Sequence, residues 1–166
     1  MILQTENLDF INATENDIDE IISIESHIDN RDFLWIGTRE EHLEEISDND
    51  QIPVMIKERA TNETAGYILA RLNRKANSFE LRRLAITKKG KGYGKETMLG
   101  LFDYVFNELK QNKLWLDVYH DNYIGISLYE KVRMHRDGIL RENDLTDRGY
   151  MDQIIYSILK REYDNL

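Results

Sequence analysis

The chain has no cysteine, and among its 166 residues there is a single proline, Pro53. Without thiols there can be no disulfide framework, no thiolate metal site and no cysteine nucleophile, so any group transfer must use another side chain or pass directly from donor to acceptor. One proline and nine glycines are too few to make a linker, and no internal repeat or low-complexity run divides the sequence. No apolar run approaches the length of a membrane span. Met1 to Phe10 mixes polar, apolar and acidic residues, unlike a signal peptide, which predicts a cytoplasmic protein. The four histidines, His27, His42, His120 and His135, lack the spacing of a zinc motif, so no metal is expected. Positive charge is scarce too. Twenty-two Lys and Arg stand against 31 Asp and Glu, a net charge of −9. That balance argues against a nucleic-acid partner, and it favours cations such as polyamines and protonated amines, besides keeping a protein soluble.

What is present reads as one domain over 1–166, with 41% hydrophobic and 32% charged residues. Leu8 to Ile11 predicts a strand, and Thr14 with Asp17 a capping box ahead of Ile18, Ile21 and Ile22 at helical spacing. Asn30 to Gly37 is a loop carrying Phe33 and Trp35, and Thr38 caps a second helix to Ile46. Strands are expected over Pro53–Glu58, Gly66–Leu72 and Phe79–Ile86. A long helix follows over Gly92–Lys110, then a strand over Leu114–Tyr119 and a helix over Asn122–Val132. Ile139–Glu142 and Gln153–Leu159 close the sheet. The pattern is a mixed α/β (α+β) sheet with a strand–helix–strand–helix middle.

Between the Phe79–Ile86 strand and the long helix lies Thr87-Lys88-Lys89-Gly90-Lys91-Gly92-Tyr93-Gly94-Lys95. Glycines allow positive φ and close approach of an anion, and the helix start adds free N–H donors. A nucleotide P-loop is a poor fit, because Gly90 to Gly94 is one residue short and Glu96 stands where a Ser or Thr would hold magnesium. A dinucleotide fingerprint needs a different glycine spacing near the start of a βαβ unit. The pattern of a basic residue, two spacers, Gly, one spacer and Gly, as used to hold the pyrophosphate of acetyl-CoA, fits Lys89 to Gly94. A solvated lysine turn that merely caps the helix is the plain alternative.

Downstream, Leu114-Trp115-Leu116-Asp117-Val118-Tyr119-His120-Asp121-Asn122 leads into Gly125-Ile126-Ser127-Leu128-Tyr129-Glu130-Lys131. Together with Phe79 to Ile86 and the glycine loop, in this order and at this distance, the segment resembles the paired signatures of the GNAT superfamily of N-acetyltransferases. The tail, Gly138 to Glu142 and Gly149 to Tyr156, is similar to the spermidine and ribosomal-protein N-terminal acetyltransferase-like branch. The resemblance implies a mostly antiparallel central sheet of six to seven strands flanked by about four helices. It implies acetyl-CoA as co-substrate, no metal, and direct transfer to a primary amine on a polyamine, a peptide N-terminus or another small molecule. Homodimers are frequent among members.

By the same resemblance, Leu84, Ala85 and Ile86 offer backbone groups to the pantetheine arm, with a backbone N–H near Ile86 polarising the thioester. Lys89, Gly90, Lys91, Gly92, Tyr93, Gly94 and Lys95 hold the pyrophosphate, mainly through N–H groups. Asn122 and Ser127 contribute to the coenzyme site, and Tyr129 is the general acid. Glu80 is the expected base, acting through water, with His120 a second candidate; Phe33 and Trp35 line the acceptor site. One departure stands out. Where members read Gly-Phe after the Leu-Tyr-Glu-Lys helix, this chain has Arg133-Met134, and a non-glycine residue held left-handed there costs roughly 1 kcal/mol. That departure motivates the alternative of a non-catalytic acyl-CoA-binding sensor on the same scaffold.

Overall fold

Residues Ala65 to Ala70 are buried along both alternating faces of their strand, which requires a sheet covered on both sides. The computed structural model describes residues 1–166. Its strands are β1 (Leu3–Gln4), β2 (Leu8–Asn12), β3 (Gln51–Glu58), β4 (Thr64–Asn73), β5 (Ser78–Ile86), β6 (Lys113–Tyr119), β7 (His135–Thr146) and β8 (Gly149–Leu159). Helices α1 (Ile18–Ser26) and α2 (Arg39–Ser47) precede β3, α3 (Tyr93–Asp103) links β5 to β6, α4 (Tyr123–Lys131) links β6 to β7, and the one-turn α5 (Lys160–Tyr163) ends the chain. The sheet order is β1-β2-β3-β4-β5-β6-β8-β7, antiparallel throughout except for the β5–β6 pair. The mixed, mostly antiparallel sheet agrees with the sequence reading. The additional strand β1 and helix α5 are two and four residues long, too short to leave a periodicity.

Alternation along β4 sorts the core into two layers. Ile68, Ala70 and Leu72 join Phe10, Ile56, Phe102 and Phe106 on the α3 face. Tyr67 and Leu69 join Ile21, Ile24 and Met55 on the α1 face. On β5 the alternation is broken. Leu69 is opposite Arg83 but Ala70 is opposite Leu81, so Arg82 is the extra residue of a β-bulge. A one-residue slip moves every later side chain to the other face. Phe79 and Leu81 therefore lie in the α3 layer, whereas Ala85 lies in the α1 layer with Tyr67, and Arg83 turns the same way.

The β5–β6 pairing is short, running from Ser78 opposite Lys113 to Glu80 opposite Trp115. Beyond it the two strands part and the flank of β5 has no partner. The long helix ends differently from its periodicity. α3 stops at Asp103, and a π turn covers Tyr104–Glu108, with Leu109 N–H donating to Tyr104 O at 2.9 Å. The wider turn keeps Val105 and Phe106 fully buried and stacks Phe106 on Tyr163, 5.1 Å between ring centroids. The closing hairpin is longer than expected because most side chains of β7 are exposed and polar, so the strand has no two-residue hydrophobic period.

Candidate active site

Where β5 and β6 separate, a cleft of about 480 Å³ opens. It brings together six of the residues singled out from the sequence: Glu80, Leu84, Asn122, Tyr129, Phe33 and Trp35. It also contains Asp117, Tyr119 and Asp144, which stand out by no motif or spacing of their own in the sequence.

Tyr129 is placed by both ends of its helix. At the start, Asn122 Oδ1 accepts the Gly125 N–H at 3.0 Å, so Asn122 is an N-cap as well as a cleft residue. A Cβ at 125 would come within 3.0 Å of the Asn122 side chain, so a larger residue there would crowd the cap. At the end, Met134 N–H donates to Tyr129 O and Arg133 N–H to Glu130 O, both at 3.0 Å. This is the Schellman arrangement, and it needs a left-handed residue at 133. Arg133 supplies it with φ of 63°, and Met134 is buried in the core. The expected Gly-Phe turn is thus kept in geometry without the glycine. Tyr129 is 8% exposed and its ring packs on Tyr156 at 5.9 Å. Burial pushes its phenol above the ordinary value, and the charge of Asp117 adds to this, so the hydroxyl keeps its proton.

Asp117 projects from β6 on the face opposite the buried Leu116 and Val118. Gln153 Nε2 donates to its Oδ1 at 2.6 Å. Burial raises its carboxyl from 3.8 to about 6, and the charges of Glu80 and then Asp144 contribute. Tyr119 donates its hydroxyl to Asp144, which commits that proton, and burial also raises Tyr119. Tyr129 and not Tyr119 is therefore the phenol with a proton to give.

The glycine loop lies outside this cleft, at the end of β5. Apart from the tight turn at Lys89–Gly90, the backbone N–H groups from Lys88 to Lys95 have no close acceptor in the protein; the first well-bonded one is Glu96 N–H, to Gly92 O at 3.1 Å. Gly90 and Gly92 have φ of 75° and 78°, with nothing within 4 Å of where a Cβ would stand. They are glycines for their conformation and not for lack of room. Gly94 differs, since a Cβ there would crowd the Leu128 side chain at 3.3 Å, where α3 packs on α4. This row of unused donors fits a diphosphate.

The loop lysines are arranged differently from a simple basic cradle. Lys88 and Lys91 each donate to Glu58 at 2.6 Å, and Tyr93 donates its hydroxyl to the same carboxylate. Lys88, then Lys91 and Tyr93, hold that carboxylate well below the usual range. The carboxylate ties the loop to the end of β3 through side chains, without using its backbone amides. Lys89 and Lys95 are exposed. Just past β5, Thr87 N–H donates to Ala65 O at 2.9 Å. By antiparallel alternation the amides of Ala85 and Arg83 also face β4, and those of Leu84 and Ile86 face the open flank. The Ala85 side chain is buried in the α1 layer, and Ser127 is exposed on α4, away from the cleft.

The loop bearing Phe33 and Trp35 is anchored by a buried ionic group. Arg83 donates to Glu25 at 3.2 Å and pairs with Glu45 at 3.0 Å, and His42 bridges Glu25 and Glu45 at 3.0 and 2.8 Å. Glu25 also accepts the Gly37 N–H at 2.9 Å, and a side chain at Gly37 would strike the His42 ring at 2.6 Å. The bulge at Arg82 is what turns Arg83 into this group.

The family model described as an acetyltransferase (GNAT) domain matches residues 7–135. Among curated proteins, the chain is 32% identical over 74 residues to the uncharacterized N-acetyltransferase p20 of Bacillus licheniformis, an alignment covering 45% of this chain and 42% of that protein. It is 33% identical over 76 residues to the SPbeta prophage-derived uncharacterized N-acetyltransferase YokL of Bacillus subtilis (strain 168), covering 46% and 43%. The chain thus spans less than half the length of the curated relatives it matches. Among solved structures it is similar to the spermidine N-acetyltransferase of Vibrio cholerae in complex with CoA and spermine, with a TM-score of 0.85 and 21% identity over 97% of this chain and 100% of that one. A GNAT-family acetyltransferase of Bacillus anthracis gives 0.81 and 18%, over 96% and 99%. At such identities the likeness is one of fold, extending from end to end. No helix is long and apolar enough to cross a membrane.

Proposed function

The chain belongs to the GNAT acetyltransferase family, and from that premise we propose that it transfers an acetyl group from acetyl-CoA to a primary amine in a ternary complex in the cytoplasm. Polyamines and peptide or protein N-terminal amines are the leading acceptor classes. One observation carries the reading: Tyr129, Asp117 and the open flank of β5 at Leu84 line a single cleft. The solved relative that holds CoA and spermine gives the acceptor class further support.

In this reading the free amides between Lys88 and Lys95 bind the pyrophosphate, and the outward backbone groups of Leu84 and Ile86 take the pantetheine arm like an added strand. Acetyl-CoA supplies an activated acyl carbon. The Ile86 N–H polarises its carbonyl oxygen, where negative charge develops in the transition state. Asp117 takes the amine proton, directly or through water, and Glu80 beside it keeps its proton affinity near neutral pH, where a base works best. As the nitrogen–carbon bond forms and the carbon–sulfur bond breaks, Tyr129 gives its proton to the sulfur. The dry surroundings that raise the phenol raise the thiol as well, so donor and acceptor stay matched. Phe33 and Trp35 wall the acceptor side. The sensor alternative draws no support from Arg133-Met134, because that turn keeps its geometry.

The test is release of free CoA from acetyl-CoA with spermidine, a short peptide and a monoamine. Turnover with at least one is expected. Tyr129→Phe should lower kcat by at least about 100-fold while leaving CoA affinity by calorimetry nearly unchanged. No turnover with any amine, or a CoA affinity that falls as far as kcat, would refute the assignment.

A further inference from the structure

One side chain joins three segments at the rim of the cleft. Arg148 sits in the turn between β7 and β8, its N–H donating to Thr146 Oγ1 at 3.1 Å and the turn closed by Gly149 at φ of 97°. Its Nη1 pairs with the Asp121 carboxylate, and its Nη2 donates to the Asp32 carbonyl at 2.8 Å. The guanidinium also lies over the Phe33 ring, 5.5 Å from the centroid. Asp121 directly precedes Asn122, the N-cap of the helix that carries Tyr129; Asp32 and Phe33 belong to the loop between α1 and α2. The other Asp121 oxygen, Oδ1, is shut from solvent with no hydrogen-bond partner, and the guanidinium is the main group stabilising that carboxylate's charge.

We infer that Arg148 is a positioning residue for acceptor binding: it clasps the Asn30–Gly37 loop to the start of α4 and thereby holds Phe33 against the cleft. A guanidinium suits this task because its planar fork can donate in two directions while its face lies on an aromatic ring. An ammonium could satisfy Asp121 but not all three partners together. The clasp's bonds include neither the glycine loop nor the Asn122 cap on Gly125 N–H, so its effect is assigned to the acceptor and not to the coenzyme. That part of the inference rests on the proposed acetyl transfer; the clasp itself does not.

Two measurements on Arg148→Ala and Arg148→Lys separate these. The first is amide hydrogen exchange in the ligand-free protein. The Phe33 and Leu34 amides donate to Asn30 O at 2.8 and 3.0 Å, and both variants should speed their exchange. The expected factor is about tenfold, the equivalent of roughly 1.4 kcal/mol and of the order of one charge-assisted hydrogen bond. Exchange in α3 should not change. The second is steady-state kinetics with spermidine and acetyl-CoA, in which KM for spermidine should rise by about tenfold with kcat and KM for acetyl-CoA nearly unchanged. Arg148→Lys should resemble Arg148→Ala in both. Unchanged loop exchange overturns the clasp. Faster exchange with both KM values moving together overturns its acceptor role. A wild-type protein inactive with spermidine counts against the polyamine reading alone, and the exchange result still decides the clasp.

Discussion

Asp117 is a carboxyl held where folding disfavours its charge. Its ordinary value is 3.8 and its folded value about 6, so between these pH values the folded protein binds more protons than the unfolded one. Stability therefore falls as pH rises through that window, and above it the full penalty applies. At 1.36 kcal/mol for each pH unit between 3.8 and about 6, the penalty is at most about 3 kcal/mol. Asp117→Asn removes the charge, and its side-chain carbonyl can still accept from Gln153. The variant should melt at a higher temperature than wild type at pH 8 and show little gain at pH 4. It should also lose activity by about 100-fold or more and lose the acid limb of the kcat/KM profile that inflects near pH 6. Thermal melts at the two pH values check the first part; a melting difference independent of pH would remove the argument for a strained base. Such an exchange of stability for activity is common at catalytic groups.

At the scale of elements, α4 shows how a departure from the family pattern is absorbed. Its closing turn keeps both Schellman hydrogen bonds with Arg133 left-handed, so the cost is conformational and local. Arg133→Gly should raise stability by about 0.5–1 kcal/mol, measured as a shift of the denaturation midpoint at constant slope, and leave kcat unaltered. A lower midpoint would mean that the arginine side chain contributes more than its backbone costs. The sequence made this turn legible, along with the glycine loop and Tyr129, because each depends on a short local pattern. Asp117 was not legible, since one carboxyl in an alternating strand gains its character only from the parting of β5 and β6. The bulge left a trace in Arg82-Arg83, two charged residues in a row between Leu81 and Leu84, where strict alternation allows one. Lys88 and Lys91 read as free cations; only the tertiary approach of Glu58, thirty or more positions away, shows them engaged.

Across the whole molecule the net charge is −9, and the cleft carries an acidic surplus of its own. Glu41, Glu44, Glu80, Asp117 and Asp144 line it. Of its two arginines, Arg83 is neutralised by Glu25 and Glu45, while Arg82 donates to the neutral Gln51. A cleft with this surplus focuses a negative potential that draws polycations and raises their encounter rate. Salt screens such a field over about 10 Å at 0.1 M and less at higher concentrations. With acetyl-CoA saturating, raising sodium chloride from about 50 mM to about 500 mM should lower kcat/KM for spermidine by roughly tenfold. The same change should lower kcat/KM far less for a monoamine, which carries a single charge. Because the field acts on encounter and not on the reacting atoms, kcat should hold steady for both acceptors. Equal salt sensitivity for the two amines would show that the acidic lining does not select charge, and the choice of acceptor would then have to come from the shape of the Phe33–Trp35 wall.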